Sequence, residues 1–397
     1  MPPLDLAPES LSTASLTLLA IGLVLALSIL CDAAARRLGL PRVSILVLFG
    51  VLIAAVMRVV ADVDVRELTA DIAEPLVDVA LVMVAFLLGG DLTVARWRKT
   101  GRPVIALSLG VTLGSAVVVG GGLVWLGWPL LLALPLAAMA VATDPAAVQD
   151  VVGEVGGAGR RGEVLRGVVA IDDAWGIIAF GLALATLGWL TGGDGWQALL
   201  HAAWELGGAV LLGVLFGLPA AYLTGRLRPG EPTQAEALAI ILLITGLAEM
   251  LAVSSLLAGM AAGVTIANRA AHHERSFREI EQIEWPFLVL FFVAAGAAAD
   301  PLLLAQAGPL ILAYIGLRTL ARIAGGWAAR PFMRADTGLN PGWLGVGLMP
   351  QAGVAMGMAL LVAERYPALE GQLIAVAVAG TIVFEMLGPI LTRWALR

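Results

Sequence analysis

Apolar runs of about twenty residues, separated by short polar breaks, fill this chain from its first residues to its last. A run of that length suits an α-helix crossing a bilayer, where every backbone polar group must be satisfied within the segment. The pattern predicts thirteen such helices, near 14–35, 41–60, 74–92, 102–126, 128–151, 163–190, 204–226, 235–253, 255–268, 284–300, 305–328, 340–363 and 369–394. The expected fold class is an all-α polytopic membrane protein. The ninth run is the shortest.

Composition agrees. Of 397 residues 60% are hydrophobic and 14% charged, with a mean hydropathy of +0.93. A soluble protein carries roughly a quarter charged residues. The single cysteine, Cys31, excludes an intrachain disulfide. Residues 1–10 hold two acids and no Lys or Arg, so the first apolar run is expected to stay as a helix and not to be a cleaved leader. No Gly-rich phosphate loop, Cys/His metal site or separate soluble domain stands out. Neither a nucleic-acid partner nor a bound cofactor is expected.

Basic residues set the orientation. One set of alternate loops carries Arg36, Arg37, Arg42, Arg96, Arg98, Lys99, Arg102, Arg160, Arg161 and Arg166, then Arg226, Arg228, Arg269, Arg275, Arg278, Arg330, Arg334, Arg393 and Arg397. The opposite set holds Arg58, Arg66 and Arg365. By the positive-inside rule the N-terminus is expected outside and the C-terminus in the cytoplasm, as an odd number of spans requires. Trp175 departs from the other tryptophans, which fall near the proposed helix ends.

The stretch Val168–Ile178 places two adjacent carboxylates, Asp172 and Asp173, in the middle of the sixth run. A charge at that depth costs on the order of 3 kcal/mol by insertion scales and more by simulation, so the default reading is an ion or proton pathway. Neighbouring helix positions lie about 100° apart, so the two aspartates cannot share one site symmetrically. Arg318 and Arg322, one turn apart in the eleventh run, offer a basic partner at similar depth. An Arg holds a neighbouring carboxylate ionised. The other aspartate is then free to hold a proton or a cation, and competition between the two is itself an antiport mechanism.

A weak internal repeat surrounds these residues. Thr143-Asp144-Pro145 interrupts the fifth run, and Pro350-Gln351-Ala-Gly353 interrupts the twelfth. The sixth run holds Asp172, Asp173 and Gly176, and the thirteenth holds Glu385 and Gly388-Pro389. Both pairs are seven runs apart, and an odd offset makes the repeat inverted. Transporters of this design break one helix in each half near the midplane, so that freed backbone groups face the bound ion. Thr143 and Asp144 can offer oxygen ligands to a hard cation, with a helix-end cap as the alternative for Asp144. Gln351 lines the cavity or satisfies freed backbone. Glu385 is read as a structural partner for an intramembrane Arg or for backbone. Gly110 and Gly114 form a Gly-xxx-Gly face suited to close helix packing.

With these residues in view, the chain resembles the monovalent cation:proton antiporter superfamily, in its aspartate-pair branch. The resemblance rests on Thr143-Asp144-Pro145, Ile171-Asp172-Asp173, Arg322 followed by Gly325, and the interrupted twelfth run, with Leu40-Pro41-Arg42 and Phe86-Leu87-Leu88-Gly89 in support. It implies thirteen helices, a mobile six-helix core with two broken helices crossing at the midplane, and a separate dimerisation domain. On this chain, 1–101 and 191–300 would supply the scaffold and linker helices, and 102–190 and 301–397 the two halves of the core. It implies a homodimer in a bacterial inner membrane that exchanges Na⁺, or K⁺ or Li⁺, for protons. Asp173 would be the carboxylate that binds cation and proton, Asp172 the partner of Arg322 or Arg318, and Thr143 and Asp144 the border of the site. Two departures stand out. The electroneutral branch carries Asn-Asp with a Glu five residues before that Asp, where this chain has Asp172 and Val168. Where the aspartate-pair branch often has Lys this chain offers Arg, which does not release a proton in a protein.

Other functions fit the residues less well. A sodium-coupled symporter of an organic anion could use the same architecture, but polar groups for a solute are few beyond Gln351. A channel would need a selectivity-filter sequence. An intramembrane hydrolase needs two aspartates on one water, and Asp172 and Asp173 diverge; only Asp144 with Asp173 could serve. The chain is not expected to be an enzyme.

Overall fold

The computed structural model of the chain describes residues 13–38, 42–61, 65–156, 159–191, 195–224, 233–270, 274–298, 301–333 and 340–397. The described residues are helical and form no strand. The first half contains α1 (Thr13–Leu38), α2 (Arg42–Ala61), α3 (Val65–Asp91), α4 (Val94–Trp125), α5 (Leu130–Met139), α6 (Pro145–Glu154) and α7 (Gly159–Leu190). Then follow α8 (Gly195–Thr224), α9 (Thr233–Met250), α10 (Ser255–Arg269) and α11 (Glu274–Ala297). The chain closes with α12 (Pro301–Gln306), α13 (Gly308–Ala329), α14 (Pro341–Val346), α15 (Gly353–Arg365) and α16 (Glu370–Leu396). By length and composition, stretches of α1, α4, α8, α11 and α16 can each cross a membrane.

Two differences from the sequence expectation stand out. Helices α3, α4, α8 and α11 begin at Val65, Val94, Gly195 and Glu274, about a turn or more before the apolar runs start. Polar turns continue a helix past the hydrocarbon boundary, and a reading based on apolar length stops at that boundary. The eleventh run is also divided, because Ala307 separates the short α12 from α13, which carries Pro309 in its first turn.

The helices pack as two groups. In one, α10 lies against α8 and α3, and α11 against α2 and α3. In the other, α4 packs on α13, α5 and α7, α13 on α14, and α15 on α16. An apolar cluster from Val104, Leu107 and Val111 on α4, Val148 and Val152 on α6, Val168 and Val169 on α7, and Leu344 of α14 seats α6 against its neighbours.

The α4–α13 crossing fixes the geometry of the second group. A side chain at Gly110 would run into the Gly325 carbonyl, and one at Gly325 into the Gly110 carbonyl, while Gly114 lies against the Ala321 carbonyl. The Gly-xxx-Gly face read from the sequence therefore does close backbone packing. Gly345 of α14 meets the carbonyl of Arg322 in the same way. Adding even a methyl at such a contact forces the backbones apart, at a cost of about 1–3 kcal/mol. Gly325→Ala is thus expected to lower unfolding stability in detergent. Gly316→Ala, at an open position of the same helix, should leave it unchanged or raise it. Thermal unfolding followed by size-exclusion of the survivors checks the contrast; equal melting of the two variants would contradict it.

Candidate functional site

Two interruptions meet beside α7. Helix α5 ends at Met139 and α6 starts at Pro145; α14 ends at Val346 and α15 starts at Gly353. Proline lacks a backbone N–H and pushes the preceding residue out of the helical region, so Pro145 and Pro350 each stop helix propagation from before them. The backbone N–H of Asp144 donates to the Pro350 carbonyl at 2.9 Å, tying one interruption to the other. Opening a helix leaves the last carbonyls of one half and the first amides of the next without partners.

Two arginines of α13 take up the freed carbonyls. Arg318 and Arg322 are both fully buried. Arg318 donates from Nε to the Ala140 carbonyl (3.2 Å), from Nη1 to Met349 (2.7 Å) and from Nη2 to Ala142 (2.9 Å). Its guanidinium also stacks 4.3 Å from the Phe384 ring centre. Arg322 Nη2 lies within reach of the carbonyls of Ala140, Val141 and Ala142, the shortest contact being 2.6 Å to Val141. A helix C-terminus carries roughly half a negative charge, so a cation placed there is stabilised. Gln351 completes the set, donating from Nε2 to Met139 at 2.7 Å and to the Tyr314 hydroxyl at 2.9 Å. Thr392 donates to the Gly347 carbonyl at 2.9 Å.

Asp172 is the anion of this cluster. It is fully buried and receives Arg322 Nη1 on Oδ2 at 3.1 Å. Thr143 Oγ1 donates to the same oxygen and Ser108 Oγ to the other, each at 3.0 Å. Three such donors satisfy its oxygens and hold the carboxyl in place. Of the two arginines one turn apart, Arg322 is the ion-pair partner, and Arg318 serves backbone. Ser108 lies two residues before Gly110, so the close α4–α13 crossing is what brings Ser108, Asp172 and Arg322 together.

Asp173 follows Asp172 in α7, about 100° further round the helix. The side chains of Asp173 and Pro145 lie outside the described residues. Asp144 caps α6, accepting from the Ala147 N–H at 3.4 Å. The cap anticipated as the alternative for Asp144 is thus present. Glu385 of α16 is 3% exposed, and its Oε1 has no hydrogen-bond partner among the described residues. The residue was read from the sequence as a structural partner for an intramembrane Arg or for backbone.

A cavity of about 690 Å³ reaches this cluster. Ala142, Thr143, Asp144 and Gln149 line it from the first interruption, and Ala352, Gly353, Val354 and Ala355 from the second. Arg278, Glu281 and Glu284 of α11 also line it, with Phe277, Trp285 and Leu288. The start of α15 thus borders the cavity, and no side chain caps that helix.

The family profile described as "Sodium/hydrogen exchanger, transmembrane" matches residues 22–397. The chain belongs to the sodium/hydrogen exchanger family. The Escherichia coli K12 protein described as an uncharacterized Na(+)/H(+) exchanger, YjcE, is 29% identical over 181 residues, or 42% of this chain and 32% of that one. The match thus spans about a third of the relative's length. Among solved structures, the sodium proton antiporter MjNhaP1 from Methanocaldococcus jannaschii at pH 8 superposes with a TM-score of 0.73 at 17% identity, covering 97% of this chain and 96% of that one. An electron-microscopy structure of MjNhaP1 gives 0.66 at 19% identity, covering 96% and 94%. At these identities the likeness is one of fold.

Within this exchanger-family chain, Ser108, Tyr314 and the polar start of α11 are parts of the site that the sequence reading missed. Tyr314 lies one turn before Arg318, a spacing that signals a shared face. Ser108 has no such signal, because Ser115 occupies the same apolar helix and has no hydrogen-bond partner among the described residues. Removing one member of a buried ion pair strands the other, at about 3–5 kcal/mol. Arg322→Gln is therefore expected to destabilise the protein by that order, and Asp172→Asn combined with it to recover part of the loss. Denaturant unfolding in detergent measures both. A double variant no better than Arg322→Gln would contradict the pairing.

Proposed function

We propose that this exchanger-family protein is a secondary active antiporter that swaps a monovalent cation, Na⁺ before K⁺ or Li⁺, for protons across a bacterial inner membrane. The observation that carries the reading is the full engagement of Asp172. With Arg322, Ser108 and Thr143 on its oxygens, it is a fixed anion, and its neighbour Asp173 is the carboxylate left to exchange ligands. A carboxylate holds a proton or a cation, so entry of one expels the other. Thr143 and Asp144, at the cavity wall, border that exchange and offer oxygens to the cation. No step asks Arg318 or Arg322 to carry a proton, because a guanidinium does not release one in a protein.

In this account the chain crosses the membrane thirteen times as an inverted repeat, with the α5/α6 and α14/α15 interruptions meeting at the midplane. Helices α4–α7 and α12–α16 form the moving core. Helices α1–α3 and α8–α11 form the scaffold, which pairs with that of a second copy. The division into two packing groups supports this assignment. The N-terminus faces outward and the C-terminus the cytoplasm, so the cavity bordered by the start of α11 opens to the cytoplasm.

Purified protein in proteoliposomes with a pH-sensitive dye tests the function. Pulses of Na⁺ should drive protons out of the vesicles, and Asp173→Asn should abolish the response. A wild-type protein that ignores Na⁺, K⁺ and Li⁺ across the pH range would defeat the reading.

A further inference from the structure

Each packing group is held by backbone-to-backbone contacts, and the contacts between the groups are of another kind. In the first group, a side chain at Gly89 of α3 would run into the Met260 carbonyl of α10, and one at Gly263 into the Phe86 carbonyl. Gly50 of α2 and Gly296 of α11 meet the carbonyls of Val293 and Val47 in the same way. Gly110 and Gly325 do so in the second group. Across the groups, the glycines that a side chain would crowd face leucine ends instead. Gly357 of α15 faces Leu81 of α3, and Gly181 of α7 faces Leu206 of α8. Backbone contact fixes two helices in one register, whereas a leucine can change rotamer. At one end of the seam Arg365 of α15 reaches Glu205 of α8 at 3.6 Å, with the arginine side chain 44% exposed, and such a pair contributes little in water.

The chain passes between the groups at the α3–α4 link, Leu92 and Thr93, the one such passage whose residues are all described. The link is non-helical, so the Leu92 carbonyl and the Val94 N–H have no partner within a helix. Asn268, in the last turn of α10, supplies both. Its Oδ1 accepts the Val94 N–H at 2.8 Å, and its Nδ2 donates to the Leu92 carbonyl at 2.9 Å. The same Nδ2 donates to the Val264 carbonyl of its own helix at 2.7 Å, which fixes the direction of the amide. Gly263 lies just before it in α10, so this amide rises from a helix already locked to α3. On the other side, Val94 opens α4, whose Ser108 and Gly110 reach Asp172 and α13. The Leu92 side chain packs against the α4–α6–α7–α14 cluster as well as the larger apolar core.

We propose that Asn268 is the pivot on which the second group turns against the first during exchange. One side chain grips the carbonyl before the crossing and the amide after it, which fixes the place of the crossing and leaves the angle between α3 and α4 free. A hydrogen bond weakens steeply only below about 120° at the donor, so this grip persists while that angle changes. Movement is then least at the link and greatest where Glu205 and Arg365 meet, at the opposite membrane face by the loop assignment above. Gly90 and Thr93 also line the cavity, so its wall is anchored at this point. The partners of Asn268 are backbone groups of the link and of its own helix, which makes it a positioning residue. The proposal rests on the moving core of the antiport reading and adds the point about which that core turns.

Paired cysteines in a Cys31→Ser background, bridged by a short bifunctional thiol reagent that reduction releases, test the pivot in proteoliposomes. Asn268→Cys with Val94→Cys removes the amide grip. Na⁺-driven proton release should then slow about fivefold or more at an unchanged half-saturating Na⁺ concentration, and bridging the two cysteines should restore it. Glu205→Cys with Arg365→Cys should exchange near the wild-type rate while unbridged and stop when bridged, because that bridge joins the parts that travel furthest. Each comparison is made within one folded protein, so a folding defect cannot imitate the pattern. A bridge between positions 268 and 94 that arrests exchange overturns the pivot and leaves the antiport reading standing. So does an unbridged Asn268→Cys variant that is not slowed, or a bridge between positions 205 and 365 that leaves exchange unimpeded. Wild-type vesicles that answer no cation defeat the antiport reading, and the pivot with it.

Discussion

Two guanidinium groups buried in an apolar bundle are the constraint around which this protein is arranged. Taking a charge out of water costs several kcal/mol even after relaxation, and only close hydrogen-bonding partners recover it. Here most of the partners are backbone carbonyls that exist because two helices stop short. If α5 ran on through Ala142, its carbonyls would bond within the helix, and Arg318 and Arg322 would each lose most of their acceptors. The interruptions and the arginines therefore require each other, and Pro145 and Pro350 enforce the first half of that bargain. The α4–α13 glycine crossing supplies the second, by bringing α13 close enough for its side chains to reach.

Once that cluster is set, the chemistry of the neighbouring carboxylates follows from what is left over. Asp172 is consumed by Arg322 and two hydroxyls and acts as a fixed counter-charge. Thr143 ties it to the first interruption, so movement of that interruption would be felt at the ion pair. The amino ends of α6 and α15 face the cavity, where their partial positive charge is met by Asp144. Carbonyl ends toward arginines and amino ends toward the cavity and Asp144 divide the site into two sides of different charge. In the proposed exchange the guanidinium anchors and the carboxyls trade.

Much of this was legible in the residues. Apolar runs located the helices, and Pro145 and Pro350 marked where two of them stop, because proline's missing donor is a local property. The one-turn spacing of Arg318 and Arg322 placed both on one face of one helix. Partner choice was not legible, since it depends on how helices far apart in sequence cross. Nothing in the sequence prefers Ser108 over Ser115, and only the Gly110–Gly325 contact brings the former to Asp172. Glu385 was expected to meet an arginine or backbone, and its Oε1 has no hydrogen-bond partner among the described residues. The first turns of α11 were cut off by a reading that followed hydropathy, so Arg278, Glu281 and Glu284 were missed as cavity wall.

The central claim is that proton and cation compete for the carboxylates beside a fixed ion pair. Calorimetric titration of Na⁺ into purified protein tests it most directly, run at several pH values and in two buffers of different ionisation heat. Competition predicts that Na⁺ binding releases protons to the buffer, that its affinity weakens steadily toward acid pH, and that Asp173→Asn loses both effects. Na⁺ binding with an affinity independent of pH and with no proton release would contradict the account.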